Sequence, residues 1–208
     1  MNQKIVKTSL DIDDWFSSLN ENIDLWITDP PYPFDNKNGT NRFNYKDGND
    51  NMYQRLSWSK LSSIFSEMYN RSNEGSRAYV FCNRDGLFET QPLLKKSGWT
   101  FRNVLIWDKK RLGMGYHWRN KAEYILYVTK GKPKSYVKGA GNIFSYSKPR
   151  NMGVSAKPYD IWADILENSA VLGDTCADPF AGSDPMEKAL LSYPNLYSKI
   201  GSAYTNSV

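Results

Sequence analysis

Apolar residues fall along this chain in two alternating rhythms. Nearly continuous apolar runs at Ile23 to Thr28 (IDLWIT), Arg77 to Cys82 (RAYVFC), Phe101 to Trp107 (FRNVLIW), Ala122 to Thr129 (AEYILYVT) and Asp174 to Ala177 read as strands. A shorter run, Leu196 to Ile200, reads as a last strand. Between them the spacing changes to that of a helix, clearest at Trp58, Leu61, Phe65 and Met68 within Trp58 to Tyr69. Helices are also predicted over Asp11 to Leu19, which starts on an acid, over Gly86 to Lys96, which stops at Gly98, and over Pro158 to Ala170 and Pro185 to Ser192. Strands that alternate with helices imply an α/β fold: a mostly parallel sheet with helices on both faces.

Three segments carry neither rhythm. Residues 33–55, written PFDNKNGTNRFNYKDGNDNMY over Pro33 to Tyr53, are rich in Asn, Gly and Asp and read as a long mobile loop. Arg111 to Asn120 (RLGMGYHWRN) reads as a glycine-containing loop. Residues 132–155 are basic, glycine-containing and irregular. No internal repeat is visible.

Composition narrows the class. The chain has 208 residues, 40% of them hydrophobic, enough for one domain with a real core. No run approaches the length of a membrane span, and the N-terminus lacks the apolar core of a signal peptide, so the expectation is a soluble cytoplasmic protein with no membrane partner. The two cysteines, Cys82 and Cys176, sit in apolar runs and read as buried reduced thiols. One histidine, His117, cannot build a Ser/His triad or by itself a metal site, so no metal is expected. Net charge is +5 and the isoelectric point about 9.0, which suits a polyanionic partner. Aromatics make up 14% of the chain, which fits either stacking on nucleic acid or an aromatic core.

Two strand ends carry chemistry. The first apolar run passes into Asp29-Pro30-Pro31-Tyr32, where the prolines end the strand and stiffen the turn beyond it. A carboxylate and a backbone carbonyl there can accept hydrogen bonds from an exocyclic amine while the tyrosine stacks on a base face. The second run ends at Asp178 and turns through Pro179, Phe180, Ala181, Gly182 and Ser183 to Asp184, where a helix begins. Gly182 lets a ligand approach the backbone, and the helix start favours negative charge. In an open α/β sheet both belong on one edge and form halves of one site.

These residues resemble those of the amino-group DNA methyltransferases. Asp29-Pro30-Pro31-Tyr32 looks like the family's DPPY catalytic motif, and Asp178 to Ser183 looks like its S-adenosylmethionine motif. The order, catalytic first and cofactor second, is similar to the β class. Lys157-Pro158 before a helix resembles the class's lysine-proline segment, and Val104 to Gly131 resembles its middle strands and loop. The resemblance implies one Rossmann-like methyltransferase domain over residues 1–208. It further implies adenine N6 methylation of a base flipped out of DNA, with S-adenosylmethionine as donor and S-adenosylhomocysteine as product, and an Asp rather than a Ser at position 29 favours adenine. By the same resemblance Asp29, Pro30, Pro31 and Tyr32 are catalytic. Lys157, Pro158, Asp178, Pro179, Phe180, Ala181, Gly182, Ser183 and Asp184 surround the cofactor, and Asp11 matches an acid that contacts its adenine.

The chain departs from that family at three points. Asp184 stands where Gly is usual, and reads as a helix cap whose charge would face the cofactor carboxylate. No acid follows in Lys199 to Tyr204 to hold a ribose, and little chain follows that strand. A non-catalytic nucleic-acid-binding subunit that kept the fold, or the same chemistry on RNA or on cytosine N4, therefore stays open. For the polymer, the candidates are Phe34 and Arg42 in the long loop, and Lys132, Lys134, Lys138, Lys148 and Arg150 in a short recognition-like insertion. Both segments are small, which points to a short target, loose specificity, or help from a homodimer or second subunit.

Overall fold

A computed structural model describes residues 4–33, 56–113, 117–133, 139–149 and 156–207. The long loop from 34 to 55, with Phe34 and Arg42, lies outside the described residues, as do Lys134, Lys138 and Arg150. The strands are β1 (Lys4–Thr8), β2 (Ile23–Thr28), β3 (Ser72–Cys82), β4 (Thr100–Asp108), β5 (Ala122–Thr129), β6 (Ile143–Ser145), β7 (Asp174–Asp178) and β8 (Ile200–Asn206). The helices are α1 (Ile12–Ser18), α2 (Trp58–Asn70), α3 (Arg84–Lys96), α4 (Tyr159–Ser169), α5 (Pro185–Ser192) and the single turn α6 (Pro194–Tyr197).

The strands form one sheet in the order β1-β8-β7-β2-β3-β5-β4-β6. All neighbours run parallel except β5, which is antiparallel to both β3 and β4. Helices α1, α2 and α3 cover one face with Trp15, Leu61, Phe65, Met68 and Leu94, and α4, α5 and α6 cover the other with Ile161, Trp162, Met186, Leu190 and Leu196. Because both faces are covered, every residue of β2 is buried, which is why its sequence reads as an unbroken apolar run. The architecture is a Rossmann-like α/β fold.

Local signals place the helices. Ser57 caps α2 by accepting from the Lys60 N–H at 3.1 Å, and Asn83 caps α3 by accepting from the Gly86 N–H at 2.6 Å. Gly98, at φ +101°, takes the left-handed turn that ends α3. The aromatic content belongs chiefly to the core: Trp15, Trp26, Trp99, Trp107 and Trp162 are each at most 2% exposed. Trp162 on α4 stacks on Phe81 of β3 at 4.5 Å and ties that helix to the sheet.

Two expectations are corrected and one strand is added. The Leu196 to Ile200 run is not a strand: Pro194 opens the turn α6, Leu196 buries itself against the α4–α5 layer, and the strand follows as Ile200–Asn206. The chain before α1 supplies β1, which pairs with β8 from Lys4↔Ser202 to Thr8↔Asn206. Its lysines and half-exposed pattern hid it, as is usual for an edge strand. So the β8 edge is covered by the N-terminal segment. Third, the 132–155 segment is not irregular throughout, because Ile143–Ser145 forms β6 beside Ile106–Asp108 of β4.

One buried ion pair fastens the sheet at the edge where the parallel strands begin. Arg77 of β3 is fully buried, and its guanidinium donates to the Asp174 carboxylate at 2.6 Å and to the Asp24 carbonyl at 3.3 Å. Asp174 also accepts from the Val171 N–H at 2.8 Å. Replacing Asp174 by Ala leaves an uncompensated buried guanidinium, so Asp174→Ala is expected to lower unfolding free energy by about 3–5 kcal/mol in urea titrations at pH 7. A loss under about 1 kcal/mol would place the cation in a wetter, more forgiving site than the structure shows.

Candidate active site

The sheet has one place where its connections diverge. From β2 the chain leaves through α2 to β3 on one side, and from β7 through α5 to β8 on the other. β2 and β7 are neighbours there, paired at Leu25↔Cys176 and Trp26↔Ala177. Such a switch point opens a crevice beyond the C-terminal strand ends. Asp29 to Tyr32 leave β2 there and Pro179 to Asp184 leave β7, so the two motifs lie side by side as expected.

Around Asp29 the structure builds an alternating charge chain. Asp29 is 21% exposed, and its Oδ2 accepts from the Lys157 ammonium. Lys157 also faces Glu123 at 3.5 Å, and Glu123 faces Lys109 at 3.3 Å. The other Asp29 oxygen accepts from the Tyr32 hydroxyl at 2.9 Å. That hydroxyl also lies against the Phe81 carbonyl, and having one proton it serves one acceptor at a time. Burial and the neighbouring Asp29 push the Tyr32 phenol well above its usual range, so it stays protonated. Burial opposes the charge on Lys157, but Asp29 and Glu123 outweigh it and raise its pKa overall.

Each donor on Asp29 thus has a second acceptor at hand: Phe81 for Tyr32 and Glu123 for Lys157. An arriving amine can take over the carboxylate without leaving either donor orphaned. Lys157, assigned by sequence to the cofactor, is placed instead on Asp29 and Glu123, while Pro158 stands at the start of α4. Glu123 and Lys109 are the residues that sequence reasoning missed. Their only signal was their position at the base of the glycine-containing loop, and their meaning comes from the β4–β5 pairing of Trp107 with Glu123.

The second motif makes a tight cradle. The Ala181 N–H donates to the Asn206 carbonyl at 2.9 Å, and the Asp184 N–H donates to the Ala181 carbonyl at 2.7 Å. Gly182 is exposed at φ +49°, and no atom crowds the space a Cβ would fill. Asp178 is fully buried: its Oδ1 accepts from the Phe180 N–H at 3.0 Å, while its Oδ2 has no hydrogen-bond donor within reach, the nearby Thr28 hydroxyl falling outside bonding geometry. Burial pushes Asp178 up to about 8, against the pull of Thr28 and of the Phe180 N–H. A buried carboxyl whose charge is disfavoured, beside an open glycine turn, fits a neighbour that brings positive charge.

Asp184 does not aim its charge into this cradle unopposed. It sits in the left-handed region at φ 57°, which Asp tolerates better than most residues, and caps α5 through the Glu187 N–H at 3.4 Å. Lys7 of β1 pairs with it at 3.0 Å and the Thr205 hydroxyl lies at 3.4 Å. Asn206 clips the Leu10 peptide from both sides, accepting from its N–H at 2.9 Å and donating to its carbonyl at 3.0 Å. This brings Asp11, the exposed N-cap of α1, onto the same edge as the cradle.

The basic candidates separate. β5 runs antiparallel, so it carries Lys132 to the opposite edge of the sheet, near Ser76 and Gly75, away from Asp29. Lys132 therefore does not lie with Asp29. β6 runs parallel to β4 and returns Lys148 to the site edge. Partial burial lowers the Lys148 pKa, and Lys157, Lys109 and Arg111 lower it further against the pull of Glu123, which places it in a cationic cluster.

The family model described as DNA methylase (N6_N4_Mtase) matches residues 23–191. The type II methyltransferase M.HhaII of Haemophilus parahaemolyticus is 24% identical over 84 residues, a match spanning 38% of this chain and 37% of that enzyme. Among solved structures, the complex of M1.HpyAVI with SAM superposes with a TM-score of 0.71 at 18% identity, covering 98% of this chain and 93% of that one. TTHA0409 of Thermus thermophilus, complexed with S-adenosyl-L-methionine, gives 0.65 at 18% identity, over 99% and 90% of the two chains. At such identity the structural likeness is one of fold.

Two outcomes follow from these charges. An acid whose pKa rises from 3.8 to about 8 on folding holds its proton in the native state, so its stabilisation is complete below pH 4 and is lost as pH rises through 8. Asp178→Asn is therefore expected to flatten the fall of melting temperature between pH 5 and pH 8 relative to the wild type; parallel curves would contradict a protonated Asp178. Lys157→Met leaves Asp29 facing Glu123 without the cation between them. It is expected to cost about 2 kcal/mol at pH 7, less than a fully buried pair, with Glu123→Gln costing less still in the same urea titration.

Proposed function

The chain belongs to the N6_N4_Mtase family of DNA methylases, and on that premise we propose that it transfers a methyl group from S-adenosylmethionine to the exocyclic N6 amine of an adenine flipped out of DNA. The observation that carries this reading is the placement of Asp29, with its two exchangeable donors, beside the Asp178 cradle at one switch point.

In this reading Asp178, Phe180, Gly182, Ser183 and Asp11 hold the cofactor. Asp178 would face the cofactor's ammonium, and that cation would lower its raised pKa. When bound, S-adenosylmethionine supplies an electrophilic methyl group on a sulfonium. The rest is the work of this chain. Lys157 moves to Glu123 and frees Asp29 Oδ2, and Tyr32 falls back on the Phe81 carbonyl or turns out to stack on the base. Asp29 Oδ2 and the Pro30 carbonyl then accept the two amine hydrogens, drawing the nitrogen toward tetrahedral geometry and freeing its lone pair. The new N–C bond forms as the S–C bond breaks, and the proton that nitrogen sheds goes to Asp29 Oδ2. Burial of Pro30 keeps this acceptor pair rigid.

Two observations favour catalysis over a merely DNA-binding subunit. Asp184 caps α5 and shares the Lys7 cation with Glu187, so its charge is partly countered, and Asp11 stands on the same edge as the cradle. Labelled methyl from S-adenosylmethionine is expected to appear as N6-methyladenine in mixed-sequence DNA. Asp29→Ala is expected to reduce that transfer by about 100-fold or more, as loss of a preorganised transition-state contact does. Label recovered as N4-methylcytosine would move the reading to cytosine, and DNA binding with no transfer would move it to the non-catalytic subunit.

A further inference from the structure

Of the large aromatic side chains in the described residues, Trp118 stands apart. It is 96% exposed, while Trp15, Trp26, Trp99, Trp107 and Trp162 are buried and Trp58 packs partly against the core. It sits on the arm His117 to Lys121, which faces Lys109 to Gly113 beyond the end of the β4–β5 ladder. The Lys109 N–H donates to the Lys121 carbonyl at 3.0 Å and the Gly113 N–H to the Asn120 carbonyl at 2.8 Å. Lys121 pairs with Asp108 at 3.1 Å, and Arg119 reaches back to the carbonyls of Gly113 at 2.8 Å and Leu112 at 3.5 Å. The result is a pair of braced, irregular arms (the ribbon) that holds its tryptophan in water.

The arms Lys109 to Gly113 and His117 to Lys121 carry Lys109, Lys110, Arg111, Arg119 and Lys121 and no acid. The ribbon stands at the site edge, since β4 runs parallel to β3 and therefore to β2. Its foot is joined to the catalytic acid by the chain Lys109, Glu123, Lys157, Asp29. Lys148 and Arg111 add to the same cationic surface. The five cations of these arms suit DNA phosphates. Extruding a base leaves a gap in the stack, which a flat apolar side chain can fill.

We propose that this ribbon lies on duplex DNA and that Trp118 enters the stack in place of the extruded base. The inference rests on the methylation reading above and assigns the step it leaves open, the opening of the duplex. Trp118 is a positioning residue: it acts on the neighbouring bases and does not touch the reacting amine.

The test compares wild type, Trp118→Ala and the double variant Lys110→Gln/Arg111→Gln on mixed-sequence duplexes, fully paired or with cytosine opposite each adenine. Trp118 is too exposed for its loss to disturb folding. Trp118→Ala is expected to slow methyl transfer to paired DNA about ten-fold, the usual scale of one lost stacking contact. On mismatched DNA, where extrusion is already cheap, it is expected to lose less than about three-fold. Equal rates of wild type and variant on paired DNA, or equal losses on both substrates, would overturn the wedge. In fluorescence anisotropy with paired DNA, the double variant is expected to lower the slope of log affinity against log salt by about 2, one for each phosphate contact removed. An unchanged slope would overturn the placement of the ribbon on DNA. If the wild type transfers no methyl to either DNA, the methylation reading fails and the wedge with it, whereas an active wild type unaffected by Trp118→Ala sinks the wedge alone.

Discussion

Everything at this site depends on β2 and β7 lying side by side, parallel, with their connections departing to opposite sides. The two strands come from near opposite ends of the chain. Their hydrogen bonds set the motifs about one strand spacing, roughly 4.8 Å, apart. That is close enough for a group held by one to meet a group held by the other. Neither proline turn nor glycine turn could place the other by local geometry. The helix layers hold the pairing in place: α2 and α3 press on one face and α4 and α5 on the other, and Trp162 against Phe81 fixes α4 at the position from which Lys157 reaches Asp29.

The chemistry-bearing turns were legible because their signals are local. An apolar run stopped by Pro30 and Pro31 can only be a strand end, and a strand followed by Gly182 and a capped helix can only be a turn. The elements with strong periodicity, β2, α2, α3 and α5, fall where the pattern puts them. What escaped was long-range. β1 shows two apolar residues between lysines, and only the open edge of β8 makes it a strand. Lys132 and Lys148 look alike in sequence, yet one antiparallel strand sends them to opposite edges. Lys157 reads as part of a cofactor segment, and its partners Asp29 and Glu123 are set by how α4 docks on the sheet.

The family's usual glycine has become Asp184, and three neighbours share the consequences. The left-handed backbone stays at φ 57°, a conformation Asp accepts at modest cost. The carboxylate caps α5, and Lys7 from β1 bridges it to Glu187, countering part of the charge. The lysine that disguised the edge strand in sequence is thus the one that makes the aspartate tolerable. Sequence reading set the two features down separately, one as a helix cap with a misplaced charge and the other as part of an unremarkable N-terminus.

Both oxygens of Asp29 are engaged by donors of this chain, a consequence of leaving a carboxylate largely buried. Asp29 without donors would carry a large desolvation cost, so the fold supplies Tyr32 and Lys157. Donors held too well would exclude substrate. The structure resolves the conflict by giving each donor a second acceptor, a carbonyl for the phenol and Glu123 for the ammonium. Exchange then trades one hydrogen bond for another of similar kind instead of breaking one outright, and charge is conserved within the cluster. Glu123 divides its charge between Lys157 and Lys109. Since Lys109 is also the first cation of the ribbon, a phosphate that draws it outward would leave Glu123 freer to take Lys157. Binding of the polymer and release of the catalytic acid would then be coupled through two ion pairs.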